Sequence, residues 1–419
     1  MMGFELPAYL SDYKLLKHIG NIKFGQVYSA IHSPTKITCA IHIIHFRDCR
    51  HKDNGDLLKE LDLLVQFNSP FISTIYDYFV DDEKACIVTE LCENGTLKDF
   101  LSLTQKISEK QASVFVFEIL TALFELKTNN IIHRDLKLDN IKLNSNGHIR
   151  LYDFGLARFT QNPSDDMKKT FCGTPVYVSP ELVARQDYSE KTDIWSLGVI
   201  LYTMLYGNYP FYTENLKDLF KQITKNEPFL SDLVVSHKAN DLIQKMLTKD
   251  QEKRINLEDI FDHDFLVIND PLSYRSYPRD YGMWMNRELL MQNLCCDMVT
   301  LHAETTVLTN IPTQHLQNLL KINKINGATA CYKIQRDNLM KMKMSINFGN
   351  IGNDYQSIPL MACSISLYRE RAEKICDNER KPGKRKLYIK NASSSIIRTR
   401  KASALPHKRI NRGSVGETF

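Results

Sequence analysis

The chain has no apolar run that approaches the ~20 residues a membrane-spanning helix needs, so we expect no transmembrane segment. Its first residues, 1–7, lack a basic region followed by a long apolar core, which predicts no secretory signal peptide. The ten cysteines include no C-x-x-C pair. Because thiols of proteins that are not exported usually stay reduced, these absences predict free cysteines, no zinc site and a cytoplasmic location.

Acidic residues are absent from one long stretch, residues 380–412, which carries 12 lysines and arginines. The rest of the chain holds 42 basic against 49 acidic side chains, so its body is mildly acidic. The tail 378–419 is also poor in aromatic residues, which predicts disorder. Such a tail could contact anionic partners and would permit a nuclear location. The alternative is a solvated tail without a partner.

What the chain does contain is a dense set of acidic, basic and amide side chains between positions 133 and 155. The set consists of two runs, His133-Arg134-Asp135-Leu136-Lys137-Leu138-Asp139-Asn140 and Asp153-Phe154-Gly155. Phosphoryl transfer from Mg-ATP needs an acid that accepts the proton of the attacking hydroxyl, a cation near the moving phosphoryl group, and ligands for metal ions. Asp135 and Lys137 suit the first two roles, and Asn140 and Asp153 suit the binding of Mg²⁺.

These runs resemble the catalytic and metal-binding segments of the eukaryotic protein kinases, and the resemblance covers residues 13–266. It implies an α+β, bilobal kinase fold with a small β-rich lobe and a large helical lobe. Lys137 and the segment from Thr170 to Glu181 are similar to the serine/threonine kinases, most of all to the calmodulin-dependent and AMP-activated-like group. We therefore expect a signalling enzyme that transfers the γ-phosphoryl group of ATP to Ser/Thr hydroxyls of protein substrates.

The glycine-rich loop of that family covers the ATP phosphates, and residues 20–27 correspond to it. Gly20, Gly25 and Val27 match the family pattern. Ile22 stands in place of the middle glycine, and its β-branched side chain limits how closely the backbone can approach the phosphates. In the adenine pocket, the resemblance places Ala40 above the base and gives Glu90 and Cys92 backbone hydrogen bonds to it.

The largest departure from the family is His42, which occupies the position of a lysine that grips the α- and β-phosphates. The resemblance makes Glu60 the partner of that lysine. Histidine is mostly neutral near pH 7 and is no secure replacement for a permanent cation. Lys23 or Lys59 could supply the charge instead, or could be solvated surface lysines. Lys142 is a further departure, because the family has an apolar residue there beneath the adenine.

Outside the cleft, the resemblance gives Thr170 the position of a regulatory phosphothreonine, modified by an upstream kinase and bound by Arg134. An unmodified loop threonine is the alternative. Residues 267–286 read as a linker and residues 287–340 as a helical extension. The extension resembles a ubiquitin-associated module in part, but a small helical extension without that ancestry also fits. Residues 341–377 receive no assignment.

Two functions from different classes remain. The first is an active kinase whose rate is reduced because His42 replaces lysine. The second is a pseudokinase that acts as a scaffold or allosteric partner. Ile22, His42 and Lys142 all face the nucleotide and favour the second, whereas the intact residues for metal and acceptor favour the first.

Overall fold

The structure is a computed structural model, and it describes residues 10–22, 25–46, 61, 64, 65, 67, 69–152, 158, 159, 175–268, 295–322 and 324–349. All of these residues belong to the unit Met1–Ile365, and a second unit comprises Ser366–Phe419. Seven residues named above lie outside the described ones: Lys23, Lys59, Glu60, Asp153, Phe154, Gly155 and Thr170. Most of the linker, residues 350–377 and the tail 378–419 also lie outside them.

The small lobe is an antiparallel sheet of five strands in the order β1-β2-β3-β5-β4. The strands are β1 (Tyr13–Ile22), β2 (Gly25–His32), β3 (Thr38–His45), β4 (Ile75–Val80) and β5 (Lys84–Glu90). Along β3, residues Cys39, Ile41 and Ile43 are fully buried and form one core with strands β2 and β5. The intervening Ala40 and His42 therefore point to the opposite face of the sheet, because side chains alternate along a strand.

The large lobe is helical, with two short antiparallel strand pairings near the cleft. Its helices are α1 (Leu97–Thr104), α2 (Glu109–Thr128), α3 (Pro180–Val183), α4 (Lys191–Tyr206), α5 (Leu216–Lys225), α6 (His237–Met246), α7 (Leu257–Phe261) and α8 (Asp264–Ile268). Strand β6 (Ile131–Ile132) pairs with β9 (Arg158–Phe159), and β7 (Ile141–Leu143) pairs with β8 (Ile149–Leu151). The sheet and the helical lobe confirm the predicted α+β, bilobal fold.

Local sequence explains where the helices of the large lobe begin and end. Thr96 and Ser108 each form a capping box, in which the side chain of the cap and that of the third helical residue satisfy backbone N–H groups. Helix α4 is mostly apolar and almost wholly buried, and Trp195 near its beginning is fully buried. It ends at Gly207, whose φ of 76° favours glycine. This central helix positions the catalytic loop described below.

Three further helices follow the large lobe: α9 (Cys295–Thr309), α10 (Thr313–Lys321) and α11 (Gly327–Gly349). Helix α11 packs against β4 of the small lobe. Its Ile334 is fully buried in the small-lobe core, and the ammonium of Lys333 lies 3.5 Å from the carbonyl oxygen of Val65 and 3.4 Å from that of Ile75. Burial lowers the pKa of Lys333 to about 8. Whether this segment is ubiquitin-associated-like stays a prediction.

Among the described residues, no helix is both long and apolar enough to cross a membrane. The four cysteines whose side chains are described, Cys39, Cys86, Cys92 and Cys331, are free thiols.

Candidate active site

The loop of residues 133–140 is held in place by a buried carboxylate of the large lobe. One oxygen of Asp193, in the first turn of α4, accepts the backbone N–H of His133 at 2.8 Å, and the other accepts that of Arg134 at 2.9 Å. Arg134 has a φ of 67°, in the left-handed region that residues other than glycine rarely adopt. Burial raises the pKa of Asp193. Its two hydrogen bonds offset the strain at Arg134 and fix the loop.

Three of the predicted catalytic and metal-binding residues meet at one carboxylate. Oδ2 of Asp135 lies 2.6 Å from the ammonium of Lys137 and accepts the side-chain amide of Asn140 at 3.0 Å. The same amide nitrogen donates to the Asp135 backbone carbonyl at 2.9 Å. Asp135 is 9% exposed, so the carboxylate is held rigidly but can still be reached from the cleft. Asp153 lies outside the described residues.

The large lobe is anchored beneath this loop by a buried ion pair. The guanidinium of Arg254 forms two parallel hydrogen bonds with the carboxylate of Glu181, each 2.8 Å long, and the hydroxyl of Thr192 donates to the same carboxylate at 2.9 Å. Burial alone would raise the pKa of Glu181, but the hydrogen bonds and the charge of Arg254 hold it below its usual value. The pair ties the end of the 175–181 segment to the core of the lobe.

Arg134 was predicted to bind a phosphate on Thr170, which lies outside the described residues. The guanidinium carbon of Arg134 lies 5.3 Å from the centre of the Tyr188 ring, close enough for a cation–π contact. Its binding to phosphate stays a prediction.

At the opposite wall of the cleft, the described residues of the predicted glycine-rich loop lie on the paired ends of β1 and β2. Gly20 pairs with Val27, and Ile22 pairs with Gly25. A Cβ atom on Gly25 would lie 1.8 Å from the carbonyl oxygen of Ile43, so only glycine fits there. Gly20 has open space around it, and Ile22 is half-buried. The two strands thus pair without the middle glycine of the family pattern.

His42 lies on β3 opposite Val27 and forms a hydrogen bond with Thr89 of β5. Its Nε2 is 3.1 Å from the Thr89 hydroxyl oxygen, and that hydroxyl donates to the carbonyl of Glu90 at 3.2 Å. The Thr89 hydroxyl has a single proton, and it donates that proton to Glu90. We therefore assign a proton to Nε2 of His42, which donates to the Thr89 hydroxyl oxygen. Burial, together with the positive charge of Lys142, lowers the pKa of His42 to about 3. The imidazole is therefore neutral at physiological pH and supplies no cation.

The adenine wall is formed by β3, β5 and the residues that follow β5. Ala40 is buried and pairs with Thr89 across the two strands. The side chain of Glu90 forms a buried ion pair with Arg150. Cys92 follows at the cleft edge and is half-buried. The structure thus brings Ala40, Glu90 and Cys92 to one wall, and their contacts with adenine stay a prediction.

Sequence reasoning missed Tyr152, which fills the space between this wall and β7. Its hydroxyl donates to the backbone carbonyl of Glu90 at 2.8 Å and lies 3.4 Å from Sγ of Cys92. The ammonium of Lys142 lies 3.8 Å from the centre of the Tyr152 ring. Lys142 therefore packs on tyrosine, at the position where the family has an apolar residue beneath the adenine, and its effect on adenine binding stays a prediction. The only signal in the sequence is an aromatic residue directly before Asp153, which does not reveal where the side chain points.

Comparison with known proteins agrees with this geometry. A family model described as "Protein kinase domain" matches residues 13–266. The chain is 35% identical over 258 residues, 61% of its length, to "Serine/threonine-protein kinase PLK4" of Xenopus tropicalis, and it spans 27% of that protein. It is 32% identical over 263 residues to "Aurora kinase" of Eremothecium gossypii, covering 62% of this chain and 71% of the relative.

A third relative is matched over a longer range. "NUAK family SNF1-like kinase 1" of Mus musculus is 30% identical over 363 residues, 86% of this chain and 52% of the relative. The chain thus spans about a quarter of PLK4 and about half of the mouse protein. The mouse match is long enough to include residues beyond the kinase domain, and it agrees with the predicted AMP-activated-like group.

Proposed function

The chain belongs to the protein kinase family, and from this premise we propose that it is a serine/threonine protein kinase that transfers the γ-phosphoryl group of ATP to protein hydroxyls. The observation that carries the proposal is the arrangement at Asp135, whose Oδ2 lies 2.6 Å from Nζ of Lys137 and 3.0 Å from Nδ2 of Asn140. An acid, a cation and a metal-ligating amide converge there, in the geometry that phosphoryl transfer requires.

Each residue of this arrangement has a role that its contacts support. Asp135 would orient the acceptor hydroxyl and accept its proton, and Lys137 would stabilise the charge on the moving phosphoryl group. The amide nitrogen of Asn140 is committed to Asp135, so its side-chain oxygen is the atom it can offer to Mg²⁺, which prefers oxygen ligands. Asn140 and Asp153 would hold the metal, which would neutralise the phosphates when bound.

We propose that the reaction is slow. His42 is neutral, and a kinase that lacks one preorganised cation loses roughly 10²–10³ in rate. Lys142 is a cation of the same cleft, but it lies against the ring of Tyr152.

A pseudokinase scaffold is the second candidate, and one observation favours it specifically. The carbonyl of Glu90, which the family uses to bind adenine, already accepts the hydroxyl of Tyr152 at 2.8 Å. A cleft filled in this way would bind nucleotide weakly. The hydrogen-bonded Asp135 still favours the active enzyme, because a scaffold has no need of a proton acceptor held between Lys137 and Asn140.

The test is Mg²⁺-dependent transfer of labelled γ-phosphate to a generic Ser/Thr substrate by the full chain. We expect transfer by the wild type, none above background by Asp135→Asn, and unchanged transfer by Asp259→Asn. Asp259 is an exposed carboxylate on α7 and is a matched control for the loss of one negative charge. Absence of transfer in the wild type, also after phosphorylation of Thr170, would establish the scaffold instead.

We extend the proposal to regulation and location. An upstream kinase would modify Thr170, and the basic tail would contact anionic partners in the cytoplasm or the nucleus. The supports are the position of Thr170 in the family pattern and the 12 basic residues of 380–412. Mass spectrometry of the protein from cells would detect a phosphate on Thr170, and a fluorescent fusion with and without residues 380–412 would report location.

A further inference from the structure

Tyr152 is a buried aromatic residue that the proposed reaction does not use, and it occupies the adenine-binding atoms. We infer that the Tyr152 hydroxyl competes with the 6-amino group of adenine for the backbone carbonyl of Glu90, so that Tyr152 sets both the affinity of the cleft for ATP and its selectivity for adenine. The inference rests on the proposed function only in taking the cleft as the nucleotide site.

The competition follows from counting donors at the Glu90 carbonyl oxygen. A carbonyl oxygen has two lone pairs. One accepts the hydroxyl of Tyr152 at 2.8 Å, and the other accepts the hydroxyl of Thr89 at 3.2 Å. A third donor, such as the adenine amino group, must therefore displace one of them. Thr89 is in turn held by His42 at 3.1 Å, which leaves Tyr152 as the group to be displaced.

The acceptor cannot easily move to relieve this competition. Glu90 is 1% exposed, and its carboxylate forms an ion pair with Arg150, which is 3% exposed. The residue is also the last of β5 and pairs with Cys39 of β3. The carbonyl is thus fixed on both sides by buried contacts.

The contacts of the tyrosine bring its hydroxyl to this carbonyl. Its backbone N–H donates to the carbonyl of Asn140 at 2.8 Å, and its ring lies against the ammonium of Lys142 and 6.4 Å from the centre of the His42 ring. The side chain is 6% exposed. Burial raises the pKa of Tyr152 well above its usual value, so the hydroxyl keeps its proton and stays a donor. The hydroxyl also meets Cys92, the second residue expected to bind the base.

The consequence for selectivity is specific. In a kinase whose carbonyl is open, the amino group of adenine gains a hydrogen bond that a purine without this group cannot make. Here the gain is largely cancelled, because the tyrosine hydrogen bond must be given up in exchange. The wild type should therefore distinguish poorly between ATP and the triphosphate of purine riboside, which carries hydrogen at position 6.

The experiment measures binding of these two Mg²⁺-triphosphates to the full chain by calorimetry, for wild type, Tyr152→Phe and Tyr202→Phe. Tyr152→Phe keeps the ring and its contact with Lys142 but removes the competing donor. We expect it to tighten ATP binding about five-fold and to change purine riboside triphosphate binding by less than about two-fold. Tyr202→Phe is the matched control, because its hydroxyl also donates to a backbone carbonyl, that of Phe229 at 3.1 Å, far from the cleft.

Each other outcome overturns the inference. Equal tightening of both nucleotides would mean that Tyr152 acts by its bulk, and unchanged ATP binding would mean that the carbonyl is not contested. Thermal unfolding of the three proteins separates a loss of folding from a change in the cleft. If neither nucleotide binds to any variant, the nucleotide site itself fails together with the proposed reaction. If the wild type transfers phosphate but Tyr152→Phe binds ATP no more tightly than the wild type, the proposed kinase function is retained and only the inference about Tyr152 is wrong.

Discussion

The two sides of the cleft differ in how far their side chains have departed from the family pattern. On the acceptor side, Asp135, Lys137 and Asn140 have the expected identities and contact one another directly. On the nucleotide side, the strands and their register are equally regular, yet His42 replaces the lysine and Lys142 replaces an apolar residue. The backbone of both sides is therefore preserved, and the chemistry of one side has changed.

The difference between the two sides shows which residues the backbone itself requires. Asp193 satisfies two backbone N–H groups of the catalytic loop, and Gly25 lies too close to β3 for any side chain. Changing either would disturb the backbone. His42 and Lys142 make contacts mainly with other cleft side chains, such as Thr89 and Tyr152. Such positions can change without loss of the fold. Here His42 contacts Thr89 and Lys142 contacts Tyr152.

The largest effect is expected from a pair of variants that compares the two sides directly. Asp135→Asn should lower kcat/KM by roughly 10²–10⁴, because the carboxylate that accepts the proton is lost. His42→Gln should change it by less than about three-fold, since the neutral imidazole already supplies no charge. Steady-state kinetics of both variants with Mg-ATP would check this. Equal losses in the two variants would contradict the contrast between the sides.

The next effect concerns the ion pair that anchors the acceptor side. Arg254→Met should lower the free energy of unfolding by about 3–5 kcal/mol, because it leaves the Glu181 carboxylate buried without its partner. Lys245→Met breaks an exposed pair with Asp241 on α6 and should cost less than about 1 kcal/mol. Urea unfolding of both variants is the measurement. If Arg254→Met lowered the free energy of unfolding as little as the control does, the ion pair would not anchor the large lobe.

A smaller effect should come from restoring the missing cation. His42→Lys should raise kcat about ten-fold, because it supplies a permanent charge next to the phosphates, although burial and the nearby charge of Lys142 limit the gain. Single-turnover transfer at saturating ATP would measure it. His42→Met, which has similar length and no charge, is the control. A gain as large in His42→Met would show that size matters at this position and that charge does not.

The smallest effect is on the pH dependence of stability. The pKa of His42 is about 3 in the folded protein and ~6.5 when unfolded. Between these values the unfolded chain binds a proton that the folded chain does not, so the free energy of unfolding falls as the pH falls below ~6.5. His42→Gln removes this contribution and should lessen the loss of stability between pH 7 and pH 5.5 by roughly 1 kcal/mol.

Urea unfolding of wild type and His42→Gln at the two pH values would check this last prediction. Other titrating groups cancel in the difference between the two proteins. Parallel pH dependence in both would mean that His42 accepts a proton in the folded state.

Much of the fold could be predicted from the sequence, because the patterns that indicate it lie within short stretches of the chain. The kinase resemblance placed His42 at the position of a cleft lysine, and the motif spacing placed Asp135 and Asn140 on one loop. The position of Tyr152 did not follow, because the direction of a side chain depends on neighbours such as Lys142 and Glu90 that come together only in the folded protein. The docking of α11 was equally hidden, since nothing in the residues around Lys333 marks β4 as their partner.

The position of Ile334 separates two definitions of a domain. The family match ends at residue 266, yet the apolar core of the small lobe is completed by a side chain 68 positions later in the chain. A protein cut after residue 268 would keep every catalytic residue and expose the apolar groups that Ile334 covers. The boundary set by homology and the extent of the small-lobe core therefore differ, and we expect the smallest piece that retains native stability to be longer than the piece that carries the chemistry.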